Sequence, residues 1–151
     1  PPAALSITAT SFVDYKNTYT PAKAFDGDLK TGWLEGVKGP GTGEAITLKL
    51  NKEITVDEIA VAPGYFDPKW WKSNNRVKSL RVTYGETSQV LNFKDEMTAQ
   101  NTKLAKEIRF SGITFEIAEV YLSGKDNDTA LSEIEFYYKG EKVVIDMSGV
   151  K

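Results

Sequence analysis

The chain has 151 residues, 40% of them hydrophobic, with 19 basic and 21 acidic side chains and a formal charge of −2. This length supports one core, while the balanced charge leaves no basic face for nucleic acid or anionic membranes, and no apolar run approaches the ~20 residues of a membrane helix. It contains no histidine and no cysteine, which removes Ser-His-Asp and Cys-His nucleophiles, disulfide frameworks and the commonest zinc ligands.

In chain order, residues 5–9 alternate at period two and predict a strand. Residues 21–25 predict one helical turn, with Thr20 as its cap and Pro21 at its first position. Residues 36–43 form one long, glycine-rich flexible loop, placed at a site mouth or at one end of the fold. Residues 46–50, 77–84 and, more loosely, 90–93 alternate again. Residues 54–61 read as a buried strand broken by Asp57-Glu58. Residues 95–106 offer at most one further helical turn, and Lys103, Lys106 and Arg109, with Glu107 among them, read as a solvated strand face. Residues 108–110, 114–122 and 131–138 complete the strands, and Gly85, Gly112, Gly124 and Gly140 mark turns that need positive φ. The polar run Asp126-Asn127-Asp128 reads as a turn leading towards Glu133. About eight short strands with these spacings predict an all-β jelly-roll sandwich, residues 1–151 forming a single unit without linker or repeat.

Two segments carry chemistry. The first is Asp26-Gly27-Asp28 with Thr31 three residues on. Carboxylates and a hydroxyl gathered round a glycine suit a hard cation such as calcium, which takes six to eight oxygens; the plainer reading is an Asp-Gly turn with solvated charges. It is not an EF-hand, because Thr31 and Val37 stand at positions six and twelve, where glycine and glutamate belong.

The second is the loop 65–76, where Tyr65, Phe66, Trp70 and Trp71 crowd into seven residues beside Asn74 and Arg76. Aromatic faces with a few placed polar groups are the composition of a small-ligand site, here suited to glycan. The competing reading is a plug over the open end of the sandwich, with Arg76 paired to a carboxylate. Adjacent tryptophans in an extended segment point oppositely, so only one would face a ligand. A glycosidase needs two carboxylates ~5–9.5 Å apart; only Asp67 stands beside these tryptophans, which argues against an enzyme.

Residues 23–33, with Ala24, Asp26-Gly27-Asp28, Thr31 and Trp33, resemble the A-x-D-G-[DN]-x-x-T-x-W hallmark of discoidin-like (F5/8 type C-like, galactose-binding-domain-like) modules. Residues 128–136, with Ser132-Glu133-Ile134 and Phe136, resemble the closing strand of that family. Pro63-Gly64-Tyr65 and Asn74 to Leu80 resemble the G-Y … N-x-R-V-K-x-L segment of its NADase-type glycan-binding domains. The resemblance implies a non-catalytic, calcium-containing module of the kind appended to bacterial glycosidases. It is expected to be extracytoplasmic, monomeric or part of a larger protein, and to bind glycan or, alternatively, a partner protein. The structural calcium that it implies would be held by the Lys23 carbonyl, the Asp26 and Asp28 side chains, Thr31, the Ser132 carbonyl and the Glu133 carboxylate. Trp33 is implied to lie in the core. The histidine often used by carbohydrate-binding relatives is absent, so a galactose-type site is not implied.

Overall fold

The computed structural model describes residues 1–125 and 127–150. Asp126, read above as part of a polar turn, lies outside the described residues. Among the described residues there are nine strands: β1 (Ala4–Ala9), β2 (Trp33–Leu34), β3 (Ala45–Ala62), β4 (Arg76–Tyr84), β5 (Thr87–Asn92), β6 (Gln100–Tyr121), β7 (Ala130–Leu131), β8 (Glu133–Tyr138) and β9 (Glu141–Lys142). The only helical element among the described residues is the 3-10 turn Pro21–Phe25. Pro21 opens it as expected, but the Thr20 side chain makes no capping bond; instead the Thr20 carbonyl accepts from Lys23 N at 3.0 Å.

Two strands are far longer than the sequence suggests, and they join the layers. The expected strands at 46–50 and 54–61 are one strand, β3, and those at 108–110 and 114–122 belong to β6. The polar run Asn51-Lys52-Glu53 between the two expected strands is a bulge: pairing skips from Lys49↔Gly112 to Ile54↔Phe110. Bulges bend strands, and partners change there. Before it β3 pairs with β1, and beyond it with β8. One layer therefore runs β5-β4-β6-β3-β1 and the other β6-β3-β8-β9. Gly112 sits inside β6 at this corner without positive φ, and residues 95–106 hold no helix because β6 starts at Gln100. Gly85, Gly124 and Gly140 do have positive φ. The latter follows Lys139, at φ 51°, in the two-residue turn between β8 and β9, the conformation that a tight hairpin needs.

The inward faces meet in one apolar core. Phe115 from one layer lies 6.1 Å from Phe136 of the other, which also contacts Phe110 at 5.4 Å. Trp33 is fully buried among them, as expected, and its indole N–H finds the Ser11 carbonyl at 2.8 Å. The two ends of the chain are tied together: Ala4 N donates to Asp146 O and Asp146 N to Pro2 O, at 2.9 and 2.8 Å.

Candidate functional site

The acidic loop follows the 3-10 turn. Asp26 Oδ1 accepts from Asp28 N at 3.0 Å, Thr31 Oγ1 donates to Asp26 Oδ2, and Asp28 Oδ1 accepts from Lys30 N at 2.8 Å. Gly27, at φ 77°, aims its N–H across the fold at Glu133 Oε2, 3.0 Å away and 106 residues on in sequence. Glu133 is buried, and its second oxygen, Oε1, has no hydrogen-bond partner. Burial, opposed by the Gly27 N–H and reinforced by the facing Asp26 carboxylate, pushes its pKa up to about 9. Two carboxylates turned towards each other with an oxygen unmet form a place for a positive charge, and hard oxygens of this kind suit calcium. Among the described residues no three carboxylates gather closely enough to hold a metal. Asp26 and Asp28 both lie on the exposed loop and both accept hydrogen bonds within it, and of the two it is Asp26 whose charge acts on the buried Glu133.

A second buried carboxylate escaped the sequence reading. Glu35 follows β2 directly and is fully buried. Thr129 N donates to its Oε1 at 3.1 Å and Val37 N to its Oε2 at 3.0 Å, while Glu35 N donates to Thr129 O at 3.3 Å. Desolvation raises its pKa against these two backbone donors, with Asp128 and Glu44 adding repulsion. The loop 36–43 is therefore wrapped round a carboxylate: a Cβ on Gly41, at φ 77°, would overlap the Glu35 carboxyl carbon. The sequence signal was a lone acid between an apolar pair and a run of glycines.

The staple at Glu35 sits behind a groove of about 410 Å³. Tyr15, Tyr19, Tyr65 and Trp70 supply its aromatic surface, Leu34 and Val13 its aliphatic surface, and Asn74 and Asp128 its polar groups. Tyr19 and Tyr65 meet edge to face at 6.2 Å. Burial first, then Tyr19 and Asp67, raise the Tyr65 pKa, so it stays a neutral phenol able to donate a hydrogen bond. Lys69 covers one face of Trp70, its ammonium 4.9 Å from the ring centre.

The aromatic loop is split between inside and outside. Residues 67–74 are not extended but wound, with Trp71 N donating to Asp67 O at 2.8 Å and Asn74 N to Trp70 O at 3.2 Å. Winding turns Trp70 outward, 42% exposed, and Trp71 inward, 7% exposed. Phe66 packs edge-on against Trp71 at 5.3 Å. Arg76 is buried in a two-pronged pair with Asp95, Nε and Nη2 each 2.9 Å from a carboxylate oxygen, which holds the Asp95 pKa below its usual value. Asn74 donates to the Trp70 carbonyl at 3.1 Å. Of the six residues singled out in this loop, the groove thus receives Tyr65, Trp70 and Asn74, while Phe66, Trp71 and Arg76 support them from behind. The sequence reading did not find Tyr15, Tyr19 or Asp128. The first two lie in an irregular segment whose cue was a cluster of aromatics among polar residues.

A larger cavity, about 710 Å³, lies beside the acidic loop. Its walls are mixed, with Ile7, Ala22, Met147 and Val150 beside Asn17, Thr20, Lys23 and Asp26, and Phe25 there is itself core, packed on Phe115. The smaller groove differs in bringing together four aromatic side chains, Tyr15, Tyr19, Tyr65 and Trp70.

The family model described as NAD glycohydrolase translocation F5/8 type C domain matches residues 2–137. A search of the curated proteins gives no match. Among solved structures, the family 32 carbohydrate-binding module of Clostridium perfringens NanJ, in complex with galactose, superposes with a TM-score of 0.67 at 13% identity, covering 91% of this chain and all of that one. A pectin-binding carbohydrate-binding module superposes with a TM-score of 0.67 at 16% identity, over 97% and 99% of the two chains. A third match, with a TM-score of 0.70 at 18% identity, is to arabinofuranosyltransferase AftD from Mycobacteria; it covers 96% of this chain but 12% of that one. At such identities these likenesses establish the fold, an all-β jelly roll.

Proposed function

We propose that this chain, which belongs to the NAD glycohydrolase translocation F5/8 type C domain family, is a non-catalytic glycan-binding module. The observation that carries this reading is the groove, where Tyr15, Tyr19, Tyr65 and Trp70 converge from two separate loops around Asn74 and Asp128. Aromatic faces would pack on the apolar faces of sugar rings, and the amide, carboxylate and phenol would hydrogen-bond their hydroxyls. The solved modules that bind galactose and pectin share the fold. One carboxylate, Asp128, lines the groove among the described residues, whereas glycoside hydrolysis works with two; the chemistry is that of holding, not cleaving. Calcium is the proposed structural ion, held by Asp26 and Glu133 with Lys23, Asp28, Thr31 and Ser132 completing the oxygen set. An extracytoplasmic location suits it, since modules of that compartment bind calcium in the ~10⁻⁴–10⁻³ M range.

A glycan-array screen in calcium tests the reading, with Trp70→Ala beside the wild type. Binding to a defined glycan is expected, lost in the variant at unchanged melting temperature because Trp70 is exposed. Silence across a broad array by a folded protein would overturn it in favour of a partner protein.

A further inference from the structure

We propose that Ser132 couples the cation site to the aromatic loop, so that filling the site sets Tyr65 and Trp70 in the groove; this rests on the cation reading above. Ser132 is fully buried between β7 and β8 and touches both regions through different atoms. On one side the acidic loop closes directly on its backbone: a Cβ on Gly32 would stand 3.0 Å from Leu131 O and 3.1 Å from Ser132 Cα. The next residue, Glu133, carries the unpartnered buried oxygen. On the other side the Ser132 hydroxyl accepts from Phe66 N at 3.1 Å, and Ser132 N donates to Ala62 O at 3.1 Å.

Phe66 is the residue through which the first half of the aromatic loop reaches outward. Asp67, Lys69 and Trp70 donate within the loop, to Tyr65 O at 2.9 Å, Asp67 Oδ1 at 2.8 Å and Asp67 O at 2.9 Å. Phe66 sends its N–H to Ser132 instead. A cation that satisfies Glu133 would hold the Ser132–Glu133 backbone still, and the hydroxyl would carry that restraint to Phe66 and so to Tyr65 beside it. Restraint in one site lowers the ordering cost at the other, which is coupling without any large rearrangement. It is also reciprocal: a ligand in the groove would tighten the cation.

Amide hydrogen exchange on the full chain, in chelator and in calcium, reads this without any glycan, and calorimetry measures calcium binding separately. In the wild type, calcium is expected to slow exchange at Phe66 on the order of tenfold, inside the usual range of coupling strengths. Ser132→Ala removes the hydroxyl but no proposed metal oxygen. Its calcium affinity is read separately by calorimetry, and at saturating calcium exchange at Lys69 and Trp70 is expected no longer to respond. Calcium binding with no change at Phe66, or a loop that still responds in Ser132→Ala, would overturn the coupling and leave the cation reading standing. Absence of calcium binding in the wild type would overturn both. The wild-type arm decides the matter alone if the variant does not fold.

Discussion

Glu35 and Glu133 are both carboxylates sealed inside the same sandwich, yet they are built for opposite ends. Each oxygen of Glu35 receives a backbone N–H, from Thr129 and Val37. Glu133 receives one, from Gly27, its other oxygen is buried without a hydrogen-bond partner, and the Asp26 carboxylate adds repulsion. A buried carboxyl group with a donor on each oxygen is a fastener, whereas one with a donor on a single oxygen is costly unless something else arrives. The same side chain at similar burial is thus matched on both oxygens in one place and on one in the other, and it is this difference in donors that the proposed calcium would make up.

Removing Glu35 is the hardest blow to this contrast. Glu35→Ala leaves two buried donors and a cavity, so a loss of about 3–5 kcal/mol is expected in chemical denaturation, and calcium should not restore it. Glu133→Gln should behave the other way. In chelator the variant is expected to be about as stable as the wild type, because burial already favours the neutral acid at Glu133 and the amide is neutral too. What it should lose is the stabilisation by calcium, about 2.7 kcal/mol for a hundredfold excess over Kd; a variant still stabilised by calcium would refute the assignment. Gly41→Ala crowds the Glu35 carboxyl from a left-handed backbone position and should cost about 1–3 kcal/mol, again without reference to calcium. The smallest expected effect is a slope with pH. Burial raises the Glu35 pKa above its ordinary 4.5, so the folded state holds that proton more tightly than the unfolded chain. Its contribution is whole below the unfolded pKa and is lost as pH rises through the folded one. Denaturation series should show stability falling over that window in the wild type and less so in Glu35→Gln.

Much of this molecule was legible in its sequence, and what was not has physical causes. Trp33 as core came from the family resemblance, while the Pro21 turn and the positive φ of Gly85, Gly124 and Gly140 follow from short-range rules that a few neighbouring residues satisfy. The joining of strands at 50–53 does not, because three polar residues in a bulge carry the same signature as three in a turn. The acidic loop could be seen locally as oxygen-rich, but Glu133 was paired with it through resemblance alone, 106 residues away. In the aromatic loop the composition was informative and the partition was not. Winding at Asp67, rather than strand alternation, decides that Trp70 faces out and Trp71 in, and Arg76 is drawn inward by Asp95, a carboxylate 19 residues further along. Glu35 escaped because burial of a charge is a property of its donors, and these are backbone groups with no letter in the sequence.

The tie between the two ends has a mechanical meaning. Pro2 and Ala4 grip Asp146 from either side, so a polypeptide joined to either end would arrive and depart at one point. Tension along such a chain would load that clasp before the sheets behind it.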